Sequence, residues 1–110
     1  MRPGHDRGSA TVWAAMAICA VCVVFAAVVA LGQAVIARHQ AGAAADLAAI
    51  AAADRALEGI PGACAAAARV TAAQGAVMIR CAVESEIADV TVRAGDAPFA
   101  SEVRSRAGPP

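Results

Sequence analysis

The sequence has no lysine, asparagine or tyrosine, and its only aromatic residues are Trp13, Phe25 and Phe99. The three missing residue types have AT-rich codons, which indicates a gene from a GC-rich bacterium. A soluble core with so few aromatic residues must be built from Val, Ile, Leu and Ala, which bury little area each. Nine basic and nine acidic residues give a formal net charge of zero. The charge balance therefore predicts no nucleic-acid partner.

The sequence also lacks a catalytic or metal-binding pattern. Neither His5 nor His39 has a carboxylate or thiol at the spacing of metal ligands, and no glycine-rich phosphate loop is present. Glu84 and Glu86 lie beside a predicted turn, where carboxylates are normally solvated. We therefore predict a protein that is not an enzyme and that has no cofactor and no metal site.

One long uncharged stretch dominates the first third of the chain. No Asp, Glu, Lys, Arg or His occurs from Gly8 to Ala37. As a helix, residues 10–36 would span about 40 Å, which exceeds the roughly 30 Å thickness of the hydrocarbon core of a bilayer. The stretch therefore predicts a transmembrane helix over residues 8–37, with the lipid bilayer as a partner.

Two other interpretations of this stretch stay open. Residues 1–37 could be a cleaved signal of a small exported soluble protein, because residues 34–37 resemble a signal-peptidase site. The apolar run is, however, longer than the usual signal core of about 7–15 residues. A buried helix of a soluble protein would need more large apolar residues around it than the rest of the chain supplies.

The charges beside the apolar run predict its orientation. The N-terminal amine, Arg2 and Arg7 precede the run, offset by Asp6. After the run come Arg38 and His39, and then Asp46 and Asp54. This positive-inside bias favours a cytoplasmic tip over residues 1–7. The C-terminal part would then lie on the extracytoplasmic side of the cytoplasmic membrane.

The rest of the chain completes an α+β prediction. Residues 38–58 continue the helix as an alanine-rich stalk, or alternatively as a packing surface for a neighbouring helix. Residues 59–93 predict a small domain in which a short helix covers a two-stranded antiparallel hairpin, since a bare hairpin is marginally stable. Residues 94–110, rich in Gly, Pro, Ser and Arg, predict a disordered tail.

The hairpin prediction depends on two alternating segments. In the first strand the apolar residues predicted to share one buried face are Val77, Ile79, Cys81 and Val83. In the second strand they are Ala88, Val90 and Val92.

The four cysteines fall into two pairs. Cys64 and Cys81 could come within disulfide reach if the short helix packs on the hairpin, and two buried free thiols are the alternative. Cys19 and Cys22 lie inside the apolar run. They are expected to act there as small apolar residues, because redox chemistry would need a thiolate, which hydrocarbon disfavours.

Two segments carry a resemblance to a known family. The segment Asp-Arg-Gly-Ser-Ala-Thr-Val-Trp at residues 6–13, opening a long apolar helix, resembles the N-terminus of TadE/TadG-like assembly proteins. These proteins belong to the Flp, or tight adherence, branch of type IV pilus systems. The run over residues 32–49 looks similar to an actinobacterial subgroup of TadE-like proteins from a helicase and secretion gene neighbourhood.

The resemblance implies a pilin-like architecture, with a long N-terminal helix half in the membrane and a small outer domain. It implies a minor pseudopilin or assembly component of a pilus or secretion system, with other pilin-like or Tad-system membrane proteins as partners through that helix. A processing site would lie at Gly8 and Ser9. Trp13 stands where many relatives have Glu, and its indole suits a membrane interface. Helix packing is expected at Ala10, Ala14, Ala17, Gly32, Leu47 and Ile50.

Overall fold

The computed structural model of the chain describes residues 3–109, with side chains from residue 7 onward. The elements are α1 (Pro3–Asp54), a 3-10 helix (Ala56–Glu58), α2 (Ile60–Ala73), β1 (Val77–Glu84), β2 (Ile87–Ala94) and β3 (Ser101–Ala107). The strands form one antiparallel sheet in the order β1-β2-β3. The α+β prediction is confirmed, with three strands instead of two. Of the predicted cytoplasmic tip, residues 1 and 2 lie outside the described residues.

The chain divides into two units, residues 1–32 and residues 33–110. Within the first unit, residues 8–32 are a segment of α1 in which alanines and large apolar side chains occupy every face, and no proline interrupts it. Its large side chains are exposed, with Trp13 at 73%. By length and composition α1 can cross a membrane, and none of its most apolar stretch is buried among the described residues.

The second unit is built around a core made mainly of alanine. One face of α1 contributes buried alanines at spacings of three and four residues, which lie on one side of a helix: Ala37, Ala41, Ala44, Ala45, Ala48, Ala49 and Ala52. We call this set the alanine face. Opposite it lie residues of α2 and of the sheet: Ala63, Ala66, Ala67, Thr71, Ala88, Val90, Val92 and Ala94. Residues 38–54 of the predicted stalk thus supply one wall of the core, and the predicted buried face of the second strand is confirmed.

Close approach between elements is visible at three places on α1. A Cβ atom built on Gly95 would lie 2.6 Å from the Ala37 Cβ, and Gly95 has a φ of +86°, so glycine is required there. Gln40 Nε2 donates a hydrogen bond of 2.9 Å to the carbonyl oxygen of Gln74, just after α2. Ser105 Oγ on β3 donates one of 2.6 Å to Asp46 Oδ1. These contacts fix α1 against both α2 and the sheet.

A β-bulge changes the predicted alternation at the start of β1. The pairing of β1 with β2 shifts between Met78 and Arg80, and an extra residue on one strand turns the preceding side chains over. Met78 therefore packs against the core, whereas Val77 and Ile79 are 61% and 44% exposed. The prediction that Val77 and Ile79 share the buried face with Cys81 is wrong for this reason.

A third strand replaces part of the predicted disordered tail. β3 pairs with β2 along its whole length, with Val103 opposite Val92. Its half-buried residues alternate with exposed charged ones, which are Glu102, Arg104 and Arg106. These charges pair with residues of β2, and Val103 and Ala107 on the other face pack against the core. Backbone pairing with β2, the ion pairs and this burial together order the strand. The prediction of disorder is wrong for residues 101–107.

The predicted disulfide is present and joins α2 to β1. Cys64 and Cys81 are bonded, with Cα atoms 5.9 Å apart and a sequence separation of 17 residues. Cys64 lies in the second turn of α2 and Cys81 in the middle of β1, so the bond closes the short helix onto the edge of the sheet. A domain of this size, with a core of small side chains, benefits from such a cross-link.

Replacing Cys64 and Cys81 together by serine should lower the free energy of unfolding of the full chain by about 3 kcal/mol, because the unfolded chain then regains its loop entropy. Urea titration in detergent micelles, followed by circular dichroism, measures this change. The matched control is the Cys19→Ser/Cys22→Ser variant, which should unfold at the wild-type urea concentration. Equal stabilities of all three proteins would contradict the structural role of the bond.

Enlarging one residue of the alanine face should also destabilise the domain. Ala48→Leu inserts three carbon atoms where α1 meets its neighbours, and overpacking of this kind costs about 1–3 kcal/mol. Ala43→Leu, at an exposed position of the same helix, is the control and should be close to neutral. Thermal unfolding compares the stabilities of the two variants directly. An Ala48→Leu protein as stable as Ala43→Leu would show that the interface accommodates a larger side chain without strain.

Candidate interaction surfaces

The predicted packing positions of the first unit lie on an open helix surface. Ala10, Ala14 and Ala17 follow one another at spacings of four and three residues and therefore share one face of α1. All three are exposed, and so is Gly32, where an added Cβ would meet nothing within 4 Å. Small side chains on an uncovered helix permit a second helix to approach closely. Contact at these four positions stays a prediction.

The predicted processing site lies in regular helix. Gly8 and Ser9 are exposed residues within α1. Thr11 Oγ1 donates a hydrogen bond of 2.8 Å to the carbonyl oxygen of Arg7, so this threonine bonds back to the preceding turn and does not cap a helix end. A peptidase that cleaves an extended substrate would have to unwind this turn first. Cleavage at Gly8 and Ser9 stays a prediction.

Two large apolar residues of the second unit project away from its core. Leu47 and Ile50 lie three residues apart on α1, on the side away from the alanine face, and are 46% and 53% exposed. The chain's own core therefore does not use the side chains that the sequence singled out for helix packing. They remain available to another helix, and their contact with one stays a prediction.

A shallow groove runs between α1 and β3. Its volume is about 530 Å³, and its lining includes Val35, Arg38, His39, Gly42, Asp46 and Val103. The Asp46 carboxylate also accepts the hydrogen bond from Ser105 described above. We call this feature the α1–β3 groove. It brings a cationic side chain, an imidazole and apolar walls together beside the C-terminal end of the uncharged run.

The outer face of the sheet carries a network of ion pairs centred on Asp89. Arg104 Nε donates to both carboxylate oxygens of Asp89, at 2.8 and 3.0 Å, and Arg106 Nε lies 3.3 Å from Oδ2. The hydrogen bonds from Arg104 lower the pKa of Asp89 below its ordinary value of 3.8, and the positive charges of Arg104, Arg106 and Arg80 add to this effect. The same contact raises the pKa of Arg104. Arg93 pairs separately with Glu102.

The described residues contain no group of three or more His, Cys, Asp or Glu side chains placed to hold a metal ion. Cys19 and Cys22 are free thiols exposed on the apolar segment of α1. Two features of the surface were not predicted from the sequence, the α1–β3 groove and the Asp89 network. Both depend on β3, whose alternation of charged residues with Ser, Val and Ala was the available signal.

The Asp89 network should make stability sensitive to acid. Because the pKa of Asp89 is lower in the folded chain than its ordinary value of 3.8, its ionised form stabilises the fold above that pH, and this contribution is lost as the pH falls through the folded pKa. Urea titrations from neutral pH to below 3.8 should show a shallower acid dependence for Asp89→Asn than for the wild type. Asp96→Asn, a change outside the network, should keep the wild-type dependence. If Asp89→Asn keeps it too, the network does not stabilise the fold.

Comparison with known proteins adds one match. No curated protein and no solved structure matches the chain. The match to a family model covers less than half of the chain and falls on α1 and the residue that follows it. Residues 8–55 match the family described as putative Flp pilus-assembly TadE/G-like.

Proposed function

We propose that this chain is a non-enzymatic, single-pass membrane protein that acts as a minor pseudopilin or assembly component of a Tad/Flp-type pilus or secretion system. The observation that carries the proposal is the match of residues 8–55 to the TadE/G-like family, on a helix that is long and apolar enough to cross a bilayer. The resemblance of residues 32–49 to an actinobacterial subgroup is part of the same proposal.

The exposure of the first unit supports a membrane location. Its Val, Ile, Leu, Phe and Trp side chains are uncovered among the described residues, and an apolar surface of this extent in water would drive aggregation or binding. A bilayer covers such a surface without any protein partner. Trp13 then lies near the start of the span, where indole rings favour the interface.

The disulfide supports the proposed orientation. Disulfides persist in oxidising compartments and are rare in the cytosol, and the bond between Cys64 and Cys81 closes the domain that follows the apolar helix. The domain would therefore be extracytoplasmic, with the N-terminus on the cytoplasmic side of the cytoplasmic membrane. The weak positive-inside bias of the flanking charges points the same way.

Partner contact is assigned to the uncovered faces of α1. In the bilayer, neighbouring helices associate through small residues that let backbones approach, and Ala10, Ala14, Ala17 and Gly32 meet this requirement. Outside it, Leu47 and Ile50 supply larger apolar side chains that the domain leaves exposed. We assign both groups to contacts with other pilin-like or Tad-system membrane proteins.

A second candidate function is a small exported soluble protein with residues 1–37 as a cleaved signal. The observation that favours it is the position of the core, because six of the seven buried alanines of α1 lie after residue 37. A chain starting at Arg38 would lose only Ala37 from the alanine face. The two candidates differ in the mature N-terminus and in whether the protein stays in the membrane.

The proposal is tested by crosslinking in the native host. A photo-crosslinking amino acid at Ala14 should give adducts with small pilin-like membrane proteins. The same group at Ala15, about 100° around the helix, should give several-fold fewer. Mass spectrometry identifies the adducts. Equal yields at both positions, or adducts with unrelated proteins only, would remove the assignment of this face.

N-terminal sequencing of the same membrane-extracted protein separates the two candidates. An N-terminus at Met1 or near Gly8, in protein that resists extraction by carbonate, is the result expected for a membrane anchor. An N-terminus near Arg38 in freely soluble protein would replace the pilus proposal by the exported one.

A further inference from the structure

The packing of the domain does not explain why glycine occupies position 42 in the wall of the α1–β3 groove. Its floor at Gly42 is open, since a Cβ added there would meet nothing within 4 Å. Glycine inside a helix is less stable than alanine by about 1 kcal/mol, and residues 41 and 43–45, next to Gly42, are all alanine. The helix thus has its least favourable non-proline residue in the wall of this groove, where a large side chain would occupy the space.

The charges of the groove are arranged along α1. Arg38 and His39 lie at one end with the apolar side chain of Val35, and Asp46 lies about two turns further on. Asp46 already accepts the hydrogen bond from Ser105. An anion would therefore be attracted to the end with Arg38 and His39 and repelled from the end with Asp46. The groove accordingly has a preferred position for one negative group.

We propose that the α1–β3 groove binds the headgroup of one anionic phospholipid, with its phosphate at Arg38 and His39, its glycerol and upper acyl chains along Val35, and its polar headgroup over Gly42 beside Val103. This inference rests on the proposed membrane anchoring of α1. The groove begins where the uncharged run over residues 8–37 ends, which is the level at which lipid phosphates meet a spanning helix. A guanidinium group pairs well with phosphate, and the carbon stem of Arg38 can lie along the apolar wall.

Two lining residues, Arg38 and Gly42, distinguish a defined lipid site from general attraction to an anionic bilayer. Basic residues near any anionic bilayer gain affinity without a defined site. A defined site needs the space over Gly42 as well as the charge of Arg38. Gly42→Leu fills that space, keeps every charge and replaces glycine by a better helix former, so the variant is expected to fold.

The test uses the full chain in vesicles of equimolar phosphatidylcholine and phosphatidylglycerol. After flotation, the protein is extracted in mild detergent, and native mass spectrometry compares the phosphatidylglycerol and phosphatidylcholine molecules that stay bound. The wild type should retain phosphatidylglycerol in excess. Arg38→Gln should reduce this excess about fivefold, the effect of one basic residue at an anionic surface. Gly42→Leu should reduce it similarly, and Arg55→Gln, at a remote exposed arginine, should leave it unchanged.

The outcomes separate this inference from the proposed function. Wild-type protein that does not float with the vesicles would overturn the membrane proposal itself. Protein that floats but retains both lipids equally would overturn the lipid site alone, and so would a Gly42→Leu variant with the wild-type excess. The measurement is repeated with inorganic phosphate in the buffer, and loss of the excess there would show that the groove holds free phosphate instead of a lipid.

Discussion

The second unit depends on the close packing of an alanine face against a small sheet and a short helix. Because alanine projects little beyond the backbone, α1 can lie near both partners, but each contact buries little apolar area. The position of α1 is therefore set by backbone proximity, as at Gly95 and Ala37, and by polar ties such as Gln40 with Gln74 and Asp46 with Ser105. The disulfide and the ion pairs of β3 add stability that the core supplies only weakly.

The same packing determines which side chains of α1 stay exposed and available for contact with other molecules. Large apolar residues of α1 are excluded from its alanine face, so Leu47 and Ile50 project outward. In the first unit the apolar side chains have no cover at all among the described residues. The division of α1 into small buried residues and large exposed ones thus links the fold to the proposed membrane and assembly roles.

The sequence predicts those parts of the fold where a residue differs clearly in polarity or chemistry from its neighbours. In β2, Ala88, Val90 and Val92 alternate with polar side chains, which specifies the buried face. Cys64 and Cys81 are the only cysteines outside the apolar run, which left one pairing to consider. The alanine face had no such contrast, because alanines occupy the exposed positions of α1 as well. The bulge at Ile79 and the strand over residues 101–107 depend on pairing with β2, and no local pattern of large apolar residues marks either.

The alanine core has a consequence for the thermodynamics of unfolding. The heat-capacity change and the denaturant slope both scale with the apolar surface newly exposed to water, and alanine exposes less of it than leucine or phenylalanine would. The stability curve of the second unit should accordingly be flat, with little loss of stability on cooling. A domain with such a curve keeps its fold over a wide range of temperature.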